Sequence, residues 1–412
     1  MPIHEYCYPN GLVLVAESMQ SLESVAFTFL LPVGAAYDPI GRAGLTSMTC
    51  EMALRGCGNL DSRQYVERLE SLGIETGEAV SVSHTCYRAA MLAEHLGEAM
   101  RLYGDLLRRP CLPTDELESS RQVAIQEYRA LDDELIQKLM VALRRGHYPE
   151  PWGQSHHGNL EGLSQISLED VRNHFTSGYR PNGAILGVAG KFCWDELQGM
   201  VGEVFGDWQQ GDWSEPQEGE LKVYRDHLTH DSNQTQIAIA YPSLPYSHED
   251  YFQAWGAVGV LSEGSSSRLF TEVREKRGLC YSVGASMRSL KTRGSVFCYA
   301  GTSADRAQET LDVIIAELLK LSEGIESEEL DRLKAKMKSS LIMSQESSMA
   351  RAGALARDWY HLKRTRSLDE IAAQVDGLSP TSINGYLEQH PPEEFTVVTL
   401  GPQSLEVPDA VS

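Results

Sequence analysis

Histidines beside acidic residues are the first groups in this sequence that suggest chemistry, because imidazole and carboxylate groups bind metal ions. His156 and His157 are adjacent in the chain. His227 and His230 form an H-x-x-H beside Asp226. Neither group has a further His or Cys at a suitable spacing, so each is a weak metal candidate. The two helical zinc signatures, H-x-x-E-H and H-E-x-x-H, occur nowhere in the chain.

An arginine and a tyrosine seven residues apart, Arg274 and Tyr281, are a second candidate. A tyrosine hydroxyl can donate a hydrogen bond to the oxyanion that develops when a carbonyl is attacked. A nearby guanidinium can hold substrate carbonyls and orient the phenol. This spacing is common, however, and taken alone it favours a surface arginine and a core tyrosine.

Other common catalytic signatures are absent. The sequence has no G-x-x-x-x-G-K-[ST] phosphate loop and no G-x-S-x-G nucleophile elbow. Its 58 acidic and 36 basic residues give a net charge of −22, which argues against binding to nucleic acid or to anionic membranes.

Several features predict where the protein works. No segment approaches the roughly 18 consecutive apolar residues of a membrane span, and no secretion signal is seen at the N-terminus. The 8 cysteines are scattered without a C-x-x-C pair, which is typical of reduced thiols. We therefore expect a cytoplasmic location.

The elements that must position these side chains repeat along the chain. Strand patterns end at Pro32 and at Pro242, 210 positions apart. A second pair of segments, each running through a proline into a strand, repeats at the same offset. The acidic stretches 115–118 and 328–331, offset by 213, each open a long helical pattern. Three matches in the same order predict a duplicated domain.

The coarse pattern of elements also predicts the fold class. Each half mixes strands and helices without a regular β-α-β alternation. We therefore predict an α+β fold of two similar domains, each a mostly antiparallel sheet with helices packed on one face. The domains are expected at 1–206 and 223–412, and the polar segment 207–222, rich in Gly, Pro and acidic residues, is the expected linker.

Four segments spread over residues 6–402 carry a family resemblance. They are YPNGLVLV at 8–15, VGAAYDPIGRAGL at 33–45, YRPN at 179–182 and SSRLFTEVREKRGLCYS at 266–282. The last string is the most specific. Together they resemble the pitrilysin family of zinc peptidases, also called the insulinase or mitochondrial-processing-peptidase family. The resemblance implies half of a clamshell-shaped peptidase.

By this resemblance, the family's zinc motif His-x-x-Glu-His falls on residues 47–51. Ser47 replaces the first His, Cys50 the catalytic Glu and Glu51 the second His. The third-ligand position, 76 residues after Glu51, keeps a carboxylate in Glu127. A serine hydroxyl is a weak zinc ligand and a thiol cannot replace the carboxylate base. We therefore expect a solvated helix with a leftover carboxylate, and no metal or other cofactor bound by this chain.

The resemblance gives Arg274 and Tyr281 the role of the family's substrate-holding and oxyanion-stabilising pair. Some members divide the labour between two chains, one with the zinc motif and one with the Arg/Tyr pair. This sequence resembles the second kind, although 261–267 lacks the long glycine-rich loop of the mitochondrial non-catalytic subunit. The implied function is a non-catalytic subunit of a heterodimer. Its zinc-bearing homologous partner would hydrolyse peptides or unfolded segments, bound as an added strand at a sheet edge.

Two alternatives remain open at this point. One is a structural core-type subunit without a peptidase role. The other is a self-sufficient metallopeptidase with an unorthodox metal site built from Cys50, Glu51 and Glu127. The absent histidines weigh against the second, and the retained Arg274 and Tyr281 weigh against the first.

Overall fold

A computed structural model describes residues 2–211, 214–219, 224–344 and 346–408. Of the predicted linker, residues 212, 213 and 220–222 lie outside these ranges. The elements up to residue 206 are β1 (Ile3–Cys7), β2 (Val13–Ser18), β3 (Ser24–Leu31), α1 (Leu45–Ala53), β4 (Gly56–Cys57), β5 (Leu60–Asp61), α2 (Ser62–Ser71), β6 (Glu75–Val80), β7 (Thr85–Leu92), α3 (Leu96–Arg108), α4 (Leu117–Ala130), α5 (Leu135–His147), α6 (Leu160–Gln165), α7 (Leu168–Gly178), β8 (Ile185–Gly190) and α8 (Trp194–Phe205).

The remaining elements follow the same plan. They are β9 (Arg225–Thr229), β10 (Gln234–Ser243), α9 (Tyr251–Ser262), a π-helical turn (Phe270–Glu275), β11 (Cys280–Ser289), β12 (Gly294–Ser303), α10 (Ala307–Lys320), α11 (Ser327–Ser344), α12 (Ser348–Leu362), α13 (Leu368–Gly377), α14 (Pro380–Gln389) and β13 (Thr396–Gly401). None of the helices in the described ranges is both long enough and apolar enough to cross a membrane.

The first sheet has the strand order β1-β2-β8-β3-β7-β6, and every neighbouring pair except β2–β8 is antiparallel. The central strand β3 is buried along nearly its whole length. It reads as a continuous apolar run rather than an alternating one, which is typical of a strand covered on both faces. One face packs against α1, α3, α7 and α8 around Met48, Leu106, Val171 and Phe205.

The second sheet has the order β11-β12-β10-β13-β9, in which only β13–β9 is parallel. Its main core lies against α9, α10 and α14, where Leu261, Ile314 and Ile383 are buried. The predicted α+β class, with mostly antiparallel sheets, is therefore confirmed.

The chain forms two compact units, and each includes one segment from the other half of the sequence. The first unit holds 1–130, 154–218 and 343–367, and the second holds 131–153, 219–342 and 368–412. The predicted domain boundaries follow the repeat along the chain. In the structure, segment 343–367 packs with the first unit and segment 131–153 packs with the second.

The exchanged helix of the first unit, α12, covers the second face of the first sheet. Leu355 and Ala356 pack there against Val15, Leu30 and Ile185. The approach is close, because a Cβ added at Gly187 would lie 2.3 Å from the carbonyl oxygen of Ala352. The helix therefore requires glycine at this position of β8.

The exchanged helix of the second unit, α5, covers the second face of the second sheet. Its Leu139 and Leu143 pack against Ala238 of β10 and Val398 of β13. Each sheet thus carries its predicted layer of helices on one face and, in addition, one helix on the other face.

Candidate functional site

Helix α1 carries three of the four positions at which the sequence predicts a degenerate zinc motif. It begins after Gly44, whose φ of 96° places it in the left-handed region. The carboxylate of Asp38 accepts hydrogen bonds from the backbone N–H of Gly44 at 2.7 Å and of Thr46 at 2.8 Å. Burial raises the pKa of Asp38 to about 6, against the lowering effect of these hydrogen bonds. This arrangement fixes the start of the motif helix.

Ser47, at the first-ligand position, uses its hydroxyl within the protein. Its Oγ donates a hydrogen bond to the backbone carbonyl of His156 at 2.7 Å. The imidazole of His156 lies against that of His157, with ring centroids 4.0 Å apart. The serine therefore ties α1 to the loop before α6.

Cys50, at the position of the catalytic glutamate, is 4% exposed. Burial raises the pKa of its thiol to about 12, so the sulfur is protonated at neutral pH. It lies beside Tyr87 and Tyr179, whose hydroxyl groups are 2.7 Å apart. A thiol that burial keeps protonated cannot act as a general base in place of the glutamate.

Glu51, at the second-ligand position, is held by a salt bridge. Its Oε1 accepts a hydrogen bond from Nε of Arg55 at 3.1 Å, and Arg55 also bonds to Glu116 at 3.0 Å. Burial and, next, the negative charge of Glu51 raise the pKa of Glu127. The charge of Glu51 therefore acts on Glu127, the position that the family resemblance implies for the third ligand.

The motif residues do not fit a zinc ion. The Ser47 hydroxyl donates to a carbonyl, the Cys50 thiol is buried, and the Glu51 carboxylate is paired with Arg55. In the part of the chain that the structure describes, no three His, Cys, Asp or Glu side chains lie close enough together to hold a metal. The prediction of a solvated helix is wrong, because seven of the nine residues of α1 are buried.

In the second unit, Arg274 and Tyr281 lie close together. The guanidinium carbon of Arg274 is 5.3 Å from the centroid of the Tyr281 ring and 4.8 Å from that of Phe270. Tyr281 is 85% exposed, so it is not the core tyrosine that spacing alone favours. Contact with both aromatic rings fixes the orientation of the Arg274 side chain. The exposed Tyr281 side chain presents its hydroxyl to solvent.

Two backbone irregularities produce this geometry. Arg274 lies in the π-helical turn, and Tyr281 is the extra residue of a bulge in β11, where pairing with β12 shifts between Cys280 and Ser282. Both irregularities occur often at functional sites, because each redirects a side chain. Neither irregularity was predicted from the sequence, and Phe270 was not among the predicted site residues. The signal for Phe270 was an aromatic residue four positions before an arginine in a helical segment.

The second histidine group of the sequence analysis has an internal contact. Nδ1 of His227, in β9, lies 2.9 Å from Oγ1 of Thr399 in the neighbouring strand β13. This contact fits a histidine that helps to hold two strands together.

Comparisons with known proteins agree with this architecture. A family model described as "Insulinase (Peptidase family M16)" matches residues 13–151. A second model, described as "Peptidase M16 inactive domain", matches residues 165–337. The chain is 25% identical over 405 residues to the uncharacterized zinc protease YmxG of Bacillus subtilis, covering 97% of this chain and 98% of that protein.

Two solved structures have the same fold. The peptidase M16 inactive domain from Pseudomonas fluorescens superposes with a TM-score of 0.91 at 19% identity, covering 99% of this chain and 100% of that one. A protease from Helicobacter pylori gives 0.89 at 21% identity, covering 97% and 99%. These two structures show the shared fold, and the two family matches confirm the resemblance found in the sequence.

Proposed function

We propose that this chain, which belongs to the insulinase family of peptidases (family M16), is the non-catalytic subunit of a heterodimeric zinc peptidase. The observation that carries the proposal is the exposed Arg274–Tyr281 pair. It is retained in a chain whose own motif residues, Ser47, Cys50 and Glu51, are committed to internal contacts. A purely structural subunit has no use for an exposed, oriented phenol.

In this proposal the hydroxyl of Tyr281 donates a hydrogen bond to the oxyanion that forms at the scissile carbonyl. Arg274 keeps the phenol in place through its contact with the ring, and its N–H groups bind carbonyl oxygens of the substrate backbone. The zinc-bearing homologous partner supplies the metal, the water and the general base. This chain moves no proton at its own motif helix.

The proposed substrates are peptides or unfolded segments that bind in extended form. Strands β6 and β11 lie at the edges of their sheets, and a peptide can pair with such a strand through main-chain hydrogen bonds. Several relatives are named zinc proteases, which supports a role in proteolysis. We place this activity in the cytoplasm, because the cysteines are free thiols in the described structure.

The test is cleavage of a fluorogenic peptide by this chain, by a zinc-motif homologue from the same source and by their mixture. We expect activity only in the mixture. Tyr281→Phe should lower kcat by roughly 10²- to 10³-fold, the loss typical of one oxyanion donor. Arg274→Ala should raise KM by about tenfold, because a hydrogen bond to a charged group is lost.

Two control variants match these substitutions. Arg277→Ala removes an arginine three residues away that is paired with Glu272, and Tyr6→Phe removes the hydroxyl of another exposed tyrosine. Both should leave the activity of the mixture unchanged. Cleavage by the isolated chain would refute the split site, and a mixture that stays inactive would favour a structural subunit.

A further inference from the structure

Among the residues that the structure describes, two arginines of the second unit have no acidic partner. Arg144 lies in the last turn of α5, and Arg288 lies near the end of the edge strand β11. Within the described ranges, neither guanidinium forms an ion pair or hydrogen bond with a carboxylate. The chain has 58 acidic and only 36 basic residues, so partners are plentiful and two unpaired neighbours call for an explanation.

A short chain of contacts places the two arginines at one corner of the sheet. His147 follows Arg144 by three residues, so both lie on the same face of α5. Its Nε2 is 2.8 Å from Oγ of Ser295, and Ser295 is the cross-strand partner of Arg288. Arg144 and Arg288 therefore reach the same region from the helix and from the strand.

The charges of the pair act on each other and on a tyrosine. Burial and then the positive charge of Arg288 lower the pKa of Arg144. Burial raises the pKa of Tyr148, while a hydrogen bond to Ser295 and the positive charges of both arginines oppose that rise. Arg144 is half-buried and Arg288 is exposed, so the corner is accessible from solvent. Two neighbouring cations repel each other unless an anion lies between them.

We propose that Arg144 and Arg288 form a binding site for an oxyanion, either the carboxylate of a peptide or a phosphate group. Guanidinium groups match both ligands, because their planar N–H donors bind two oxygens at once. The two arginines approach from different elements, so one oxyanion can bridge them. Tyr148 lies beside His147, with ring centroids 5.1 Å apart, and adds a neutral polar side chain that feels both positive charges. This site is independent of the peptidase role proposed above.

The test is titration calorimetry of the full chain with three probes. They are inorganic phosphate, an acetylated tetrapeptide with a free C-terminal carboxylate, and the same peptide with a C-terminal amide. We expect saturable binding of phosphate or of the free acid, and none of the amide. Arg144→Gln and Arg288→Gln should each weaken binding by about tenfold or more, because each removes charge-assisted hydrogen bonds.

Arg101→Gln, which removes an exposed arginine on α3, is the matched control and should bind like the wild type. Thermal unfolding in phosphate-free buffer checks the fold, and the two site variants should melt at or above the wild-type temperature because they lose a like-charge repulsion. Binding of phosphate alone, or of the peptide acid alone, identifies the source of the oxyanion. No saturable binding of either, or unchanged binding in both site variants, would overturn the proposal.

Discussion

Lowering the pH from 7 to 5 should destabilise the second unit, because over this range His147 takes up a proton only when the chain unfolds. The imidazole is 6% exposed, with Nε2 2.8 Å from Oγ of Ser295 and Nδ1 3.0 Å from Oγ1 of Thr396. Burial lowers its pKa from 6.5 to about 4. The folded state therefore keeps His147 neutral over a range in which the unfolded chain takes up a proton. Its stabilising effect is complete above pH 6.5 and is lost as the pH falls toward 4.

The size of the effect follows from these two pKa values. One pKa unit corresponds to about 1.4 kcal/mol, so lowering the pH from 6.5 to 5 removes about 2 kcal/mol from the free energy of unfolding. The variant His147→Gln cannot titrate and should lack this loss. It should also be less stable at pH 7 by about 1–3 kcal/mol, because a buried hydrogen bond to Ser295 or Thr396 is broken.

Urea unfolding at pH 7 and at pH 5 measures both quantities. The difference between wild type and variant isolates His147, since the buried His174 of the other unit, with a pKa of about 4, is present in both. His390→Gln, at the exposed end of α14, is the control and should keep the wild-type pH dependence. If His147→Gln lost as much stability between pH 7 and pH 5 as the wild type, the neutral buried imidazole would be refuted.

Two further predictions concern the first unit. Glu17 and Arg351, 2.6 Å apart and both buried, tie β2 to the exchanged helix α12, so Arg351→Met should cost about 3–5 kcal/mol. The double variant Glu17→Met/Arg351→Met should recover most of that loss in urea unfolding, and a double variant as unstable as the single one would contradict an ion pair. The triple variant Ser47→His/Cys50→Glu/Glu51→His should bind one zinc ion per chain after dialysis, unlike the wild type, and adding Glu127→Gln should weaken that binding about tenfold. Zinc retained at stoichiometry by the wild type would show that the motif is not degenerate.

Much of the fold could be predicted because it depends on local sequence patterns. The strand and helix patterns, and their repetition at an offset of about 210 residues, depend on periodicity that packing later preserves. The electrostatic effect of Glu51 on Glu127 fits the spacing that the family resemblance implies. The segment around Arg274 was the most specific string in the sequence, and it contains the side chains that the structure brings together.

The exchanged helices could not be predicted, for a physical reason. The apolar stripe of α5 shows that Leu139 and Leu143 must be buried, but it contains no information about which sheet covers them. The choice depends on the shape of surfaces that form only after both sheets exist.

The site geometry escaped prediction on a smaller scale. A π-helical turn and a bulge each involve a single additional residue, and no composition signal marks Tyr281 as the bulged one. The burial of Cys50 beside Tyr87 and Tyr179 likewise depends on side chains far apart in sequence.

The exchange of α5 and α12 sets an order of events during synthesis of the protein. When residue 206 has been made, the first sheet has all its strands, yet the helix that covers its second face ends only at Leu362. At a ribosomal rate of about 5–20 residues per second, that apolar face stays uncovered for roughly 10–30 s. Helix α5, which ends at His147, waits longer for its own sheet, because β13 ends only at Gly401. At the same rate that wait is roughly 13–50 s. We therefore expect the nascent chain to depend on a chaperone. A ribosome that stalls in the second half of the sequence would release a first half that cannot finish folding.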